Sequence, residues 1–165
     1  MASTIEKYVE VDAPLRAVYN QWTQFEEFPM FMDGIKSVTQ ISPNKTHWVA
    51  DIGFKEKEWD ADIVEQTPDT RIAWRNTTGA ENAGIVSFQS LGADRTKVTA
   101  RITYHPETFV EMVGDFLGVV SNRVQGDLDR FKEFIEQRGH ETGGWRGEIH
   151  GGEVQSREMA GSSKR

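Results

Sequence analysis

Six stretches between residues 35 and 104 alternate apolar and polar side chains at a period of two, and only a few residues separate each from the next. Chains joined that tightly fold back alongside themselves, because a parallel neighbour needs a crossover of a dozen residues or more. The stretches are 35–41, 46–53, 56–65, 71–77, 84–91 and 97–104, with turn signals such as Ser42-Pro43-Asn44-Lys45, Thr67-Pro68-Asp69 and Gly92-Ala93-Asp94 between them. This pattern predicts an antiparallel meander. One face of it is apolar, with Trp48, Ile52, Trp59, Ile63, Trp74 and Phe88 in phase. The other carries Asp51, Glu58, Asp60, Asp62, Arg71 and Arg101.

The flanks complete the frame. A strand over 4–11 places Ile5, Val9 and Val11 on one side. Asp12 suits a helix N-cap and Pro14 a first helical turn, and Leu15, Val18, Tyr19, Trp22 and Phe25 then recur at helical spacing. Pro29 interrupts that helix, and a second short turn falls within the apolar run Phe25-Glu26-Glu27-Phe28-Pro29-Met30-Phe31-Met32. After His105-Pro106 the period changes for good. Over 108–137, Val113, Leu117, Val120, Val124, Leu128, Phe131 and Ile135 recur at intervals of three and four, widened by Phe109, Met112 and Phe116. A helix of that size is about 45 Å long and crosses any strand here. Gly114, Gly118 and Gly126 lie inside it at a cost of about 0.5–1 kcal/mol each relative to alanine, as expected of a helix that bends or leaves room.

Composition narrows the function. The chain has 165 residues and no cysteine, which excludes disulfides, thiolate metal sites and cysteine nucleophiles. A net charge of −7 argues against a nucleic-acid or anionic-membrane surface. No apolar run reaches the roughly 18 residues that span a bilayer, and the N-terminus lacks a signal core, so a cytoplasmic location is expected. No histidine pair has metal-ligand spacing, and the sequence holds no Gly-x-Ser-x-Gly elbow. Gly143-Gly144-Trp145-Arg146-Gly147 lacks the strand and helix that a dinucleotide loop requires. Neither a metal, a cofactor nor a catalytic motif is expected.

The most specific segments are Val11-Asp12-Ala13-Pro14 with Val18-Tyr19, the Phe25–Met32 run, Ile72-Ala73-Trp74-Arg75, Gly84-Ile85-Val86-Ser87-Phe88, and the stretch from Gly118 through Gly126 to Phe134. In these the chain resembles the START-like superfamily of polyketide cyclase/dehydrases, coenzyme Q-binding proteins and birch-pollen-allergen-like proteins, over about residues 3–138. The resemblance implies an α+β helix-grip fold: a curved antiparallel sheet of about seven strands around a long C-terminal helix, with two short helices after the first strand. Fold predicts chemistry poorly in such a superfamily.

A curved sheet gripping a straight helix leaves a gap, and the apolar face would line it. The candidate lining is Trp48, Ile52, Trp59, Ile63, Trp74, Asn76, Phe88 and Tyr104 from the sheet, with Met112, Phe116, Val120 and Val124 from the helix. Any one tryptophan is as well explained by core filling. Asn76 and Tyr104 are the polar candidates in phase with this face, whereas His47 is out of phase and His105 sits in the connection to the helix. The expected ligand is an apolar small molecule of polyketide, lipid or quinone type. Two alternatives stand beside a binding role: an aromatase/cyclase or dehydratase, and an accessory protein working through its C-terminus. The domain is expected to end at 139. Residues 140–165, with six glycines and few large apolar groups, read as a flexible tail in which Trp145 and Ile149 could dock on a partner protein.

Overall fold

The computed structural model describes residues 3–52, 55–78, 82–104 and 116–155, with the side chains of 3, 52, 55 and 116–120 outside that description. The elements are β1 (Ser3–Val11), α1 (Leu15–Trp22), a 3-10 helix (Phe25–Met30), β2 (Ile35–Ser42), β3 (Lys45–Ile52), β4 (Lys55–Thr67), β5 (Arg71–Asn76), β6 (Asn82–Gly92), β7 (Arg95–Tyr104), α2 (Phe116–Arg138), β8 (Ile149–His150) and β9 (Glu153–Val154). The main sheet runs β1-β7-β6-β5-β4-β3-β2, antiparallel at every step. The expected meander is present, and β1 closes it beside β7.

Contacts of α2 require the sheet to curl. The Gln125 side chain donates to the Tyr8 carbonyl on β1 at 3.4 Å. On its other flank, Arg123 donates to the Asp33 carbonyl (3.0 Å) and Arg130 to that of Phe31 (2.8 Å), just ahead of β2. Laid flat, seven strands would hold β1 and β2 about 29 Å apart. A helix is only about 10–12 Å across. One helix therefore reaches both edges only because the sheet wraps around it.

Register carries the two-faced pattern across the strands. Trp48 pairs with Trp59, Ile63 with Trp74, Ile72 with Val86, Val86 with Ala100 and Phe88 with Val98, so these side chains share the inner face. The core gathers where α1, the 3-10 helix and the C-terminal half of α2 meet this face: Val18, Tyr19, Trp22, Phe28, Phe31, Leu128, Phe131 and Ile135 are all buried. Trp22 lies edge-on to Phe131 at 4.6 Å. The Asp12 cap is not formed. Pro14 occupies the N-cap position of α1, with no side-chain cap, while the Asp12 amide donates to Glu136 at 2.7 Å.

The expected boundary at 139 also differs from the structure, because residues 141–155 continue along the domain. The Thr142 amide donates to the side-chain oxygen Oε1 of Gln21 at 2.8 Å, and the Gln21 side-chain amide returns a bond to the Thr142 hydroxyl at 3.1 Å. Arg146 donates to Asn20 at 2.7 Å and to Asp69 at 2.6 Å, its guanidinium lying over the Tyr19 ring. Burial pushes the Tyr19 phenol up to about 12, against the opposing pull of Gln66 and Arg146. β8 then pairs with the end of β4, Ile149 facing Gln66, beyond the point where β3 stops. Glycine makes this possible rather than preventing it. Gly151 and Gly152, at φ +61° and +81°, form the tight turn between β8 and β9. At Gly144 a Cβ would stand 2.7 Å from Asn20. Ile149 is fully buried and Trp145 packs partly on the core, so the two do not form a free docking motif on a flexible tail.

Candidate ligand site on the inner face of the sheet

Burial on the inner face changes from one end of the sheet to the other. Under the C-terminal half of α2, Val11, Ile63, Ile72, Val86 and Val98 are at most 2% exposed. Towards the end that the preceding helical turns approach, Trp48, Lys57, Trp59, Trp74, Asn76 and Ile102 are only half-buried. The aliphatic end of the inner wall is sealed, and at the other end these larger side chains stay half-buried while Ala50, Ala61 and Tyr104 among them are buried.

Ile63 and Phe88, expected in the lining, belong to the sealed end. Ile63 is 2% exposed, and the Phe88 ring meets those of Tyr19 at 5.3 Å and Trp22 at 6.3 Å. Trp48 bridges the two regions. Its indole nitrogen donates to Thr46 at 2.8 Å, its ring tilts against Phe28 at 5.8 Å, and it stacks on Trp59 at 6.0 Å with 8° between planes. Trp59 is thereby the outer member of the aromatic layer. Trp74 lies down across its cross-strand partner Gly84, where any Cβ would collide with the indole ring. That glycine lets the ring lie low against the sheet.

The polar candidates fall in one cross-strand region. Asn76 pairs with Ala61, and Tyr104 pairs with Asn82 and Ser3. Tyr104 is 1% exposed, and burial pushes its phenol above the ordinary tyrosine value. On α2, Val124 packs against the core. Ile52, Phe116 and Val120 occupy β3 and α2, but their side chains lie outside the described residues, as do Met112 and His105 entirely.

Two lining residues were missed. Lys57 pairs with Ala50, and Lys7 pairs with Ala100 between Ile5 and Val9, so both lysines start from the inner face. Both are half-buried, while their chain neighbours Glu56, Glu58, Glu6 and Tyr8 are exposed. The signal was available: Lys57 stands two residues before Trp59, in phase with it.

Outside the grip lie two other features. His47 faces outward, its Nδ1 2.6 Å from Asp60 and its Nε2 2.9 Å from Glu58, and these bonds raise the imidazole above the ordinary histidine value. A groove of about 550 Å³ runs between the 3-10 helix, the β2–β3 turn and Trp145, with Glu26 and Glu27 along it. None of the candidate lining residues borders that groove. Among the described residues no group of three or more potential ligands is placed to hold a metal ion, and no helix is long and apolar enough to cross a membrane.

A curled antiparallel sheet gripping one long helix, with two short helices after the first strand, defines the helix-grip, START-like class of α+β domains. Within that class the chain belongs to the polyketide cyclase / dehydrase and lipid transport family, whose model matches residues 11–133. It is 50% identical over 148 residues to an uncharacterized 17.2 kDa protein of Streptomyces lincolnensis encoded between melC2 and rnhH, covering 89% of this chain and 99% of that one. A Deinococcus radiodurans crystal structure is similar at 26% identity and a TM-score of 0.64, over 83% of this chain and 99% of the other. The ZhuI aromatase/cyclase of Streptomyces sp. R1128 shares the fold at a TM-score of 0.72 and 17% identity, over 88% of this chain and 100% of that one.

Proposed function

We propose that this protein binds an apolar small molecule of polyketide, lipid or quinone type in the space between the inner face of its sheet and α2, and acts as a carrier. The observation behind this reading is the gradient of burial along one apolar wall. Rings as large as Trp59 and Trp74 remain partly accessible, whereas aliphatic side chains on the same face are sealed. Burying a ligand there gains about 25 cal/mol per Å² of apolar surface, and a few polar groups set its orientation. The composition of the wall favours a carrier over an enzyme. Its described polar groups are lysine, asparagine, glutamine, threonine and tyrosine, while the histidine of β3 and the acids of β4 point outward.

Native mass spectrometry of the protein purified from its own host tests this reading. A co-purifying apolar molecule of a few hundred daltons is the expected result. Repeated recovery of the bare chain from cells grown under several conditions would contradict it.

One observation favours the second reading, an aromatase/cyclase or dehydratase. Tyr104 and Asn76 place a phenol and an amide on the inner face, where they would hold a substrate carbonyl during aldol closure and loss of water. Tyr104→Phe separates the two readings. It would abolish turnover of a poly-β-ketone in an enzyme but leave ligand retention by a carrier nearly unchanged.

A further inference from the structure

We infer that the ligand is an amphipathic anion, an apolar body bearing one acidic group, and that Lys57 and Lys7 hold that group from opposite walls of the grip. This inference deepens the binding function proposed above and rests on it.

The charge distribution of the sheet carries it. On the outer face the lysines and the histidine are matched: Lys36 meets Glu56 at 3.1 Å, Lys45 meets Asp62 at 3.2 Å, and His47 sits between Glu58 and Asp60. Elsewhere Lys132 meets Glu136 at 2.6 Å and Lys97 lies over the Tyr8 ring at 4.4 Å. Lys57 and Lys7 are the described lysines without such a partner, and they are also the two that the register turns inward. The acids nearest Lys57 in sequence, Glu56 and Glu58, lie on the opposite face and serve other cations. A lysine whose stem lies on an apolar wall, with no acid beside it, leaves its ammonium available to an anionic group.

Each lysine is linked through a strand neighbour to the same stretch of α2. Lys7 adjoins Tyr8, whose carbonyl accepts from Gln125. Lys57 faces Ala50, next to Asp51, whose amide donates to the Gly34 carbonyl at 2.7 Å; Gly34 in turn packs against Arg123. The strand neighbours of both lysines are thus tied to the α2 segment Arg123–Gln125. An apolar body lying along Trp59, Trp74 and Ile102 would present an acidic end to this pair. The stems of both lysines reach along apolar surface while the heads seek charge, as long cationic side chains do.

Two fluorescent probes isolate the charge. N-phenyl-1-naphthylamine and 1-anilinonaphthalene-8-sulfonate share their ring system and differ by a sulfonate. Both are titrated into the full chain, into Lys57→Met and Lys7→Met, which keep an unbranched apolar stem, and into Lys57→Arg. The inference predicts that each methionine variant loses about tenfold in sulfonate-probe affinity. The neutral probe should change by less than about twofold, and Lys57→Arg should keep the sulfonate probe. Salt should weaken only the charged probe. If the methionine variants bind the sulfonate probe as the parent does, the lysine heads turn to solvent and the inference fails. A parallel loss of both probes would make the effect one of packing and would equally overturn it. Failure of the parent to bind the neutral probe would instead sink the carrier reading beneath it.

Discussion

Gly84 and His47 show how much single positions set on the two faces of this sheet. Gly84 lets the Trp74 indole lie across β6, and a methyl group there has no room while the ring stays in place. Gly84→Ala should therefore cost about 1–3 kcal/mol through overpacking. Chemical denaturation checks that figure. The same variant should also lower the affinity for N-phenyl-1-naphthylamine, because the displaced ring moves into the proposed ligand space. On the outer face, Asp60 and Glu58 hold the His47 imidazole above its ordinary value, so the folded state binds its proton more tightly than the unfolded chain does. The resulting stabilisation is fully present below the unfolded histidine value and is lost as the pH rises through the folded one. His47→Gln should thus be most destabilising near pH 5.5 and nearly neutral near pH 9. The side chain is 34% exposed, so screening holds the difference below about 1 kcal/mol. Urea titrations of both proteins across that range, with the imidazole followed by NMR, measure it.

At the scale of elements, the regular ones were legible and the irregular ones were not. β2 to β7 announce themselves by period and turn chemistry, and the turn at Thr67-Pro68-Asp69-Thr70 forms as its composition suggests. There Asp69 takes φ +62° and Thr70 donates back to Thr67 at 3.0 Å. The C-terminal segment was misread because its glycines and charges look like the composition of a tail. Its order comes from specific long-range bonds that no local pattern encodes: Arg146 to Asn20 and Asp69, Thr142 with Gln21, and Ile149 beside Gln66. Truncation after 139 should therefore lower stability by about 3–5 kcal/mol, from lost burial of Ile149 and lost bonds to α1. Arg146→Ala alone should cost about 1–3 kcal/mol by leaving a half-buried Asp69 carboxylate unmatched. Calorimetric unfolding of both variants checks these values, and a truncated chain as stable as the parent would remove the segment from the domain.

On the scale of the whole molecule, the grip divides its own interior. The C-terminal half of α2 drives Leu128, Phe131 and Ile135 into the aromatic cluster of Trp22, Phe28 and Phe31, which seals that end. Part of this division was readable in advance. The in-phase tryptophans marked the inner wall, but sequence phase cannot tell its sealed end from its open one. Ile63 and Phe88 share the pattern of Trp59 and Trp74 and differ in what packs over them, as Tyr19 and Trp22 of α1 do over Phe88. The lysines escaped notice for a similar reason, since a charged residue between Glu56 and Glu58 reads as solvated until the register shows it facing Ala50.

The central claim is that an apolar ligand enters beside Trp59 and Trp74 and nowhere else. Indole N–H resonances of all five tryptophans, followed by two-dimensional NMR during titration with N-phenyl-1-naphthylamine, test it most directly. Trp59 and Trp74 should move together and saturate at one stoichiometric equivalent, Trp48 should follow weakly, and Trp22 and Trp145 should stay in place. Movement of Trp145 with Trp59 and Trp74 unchanged would put the ligand in the outer groove and contradict the claim.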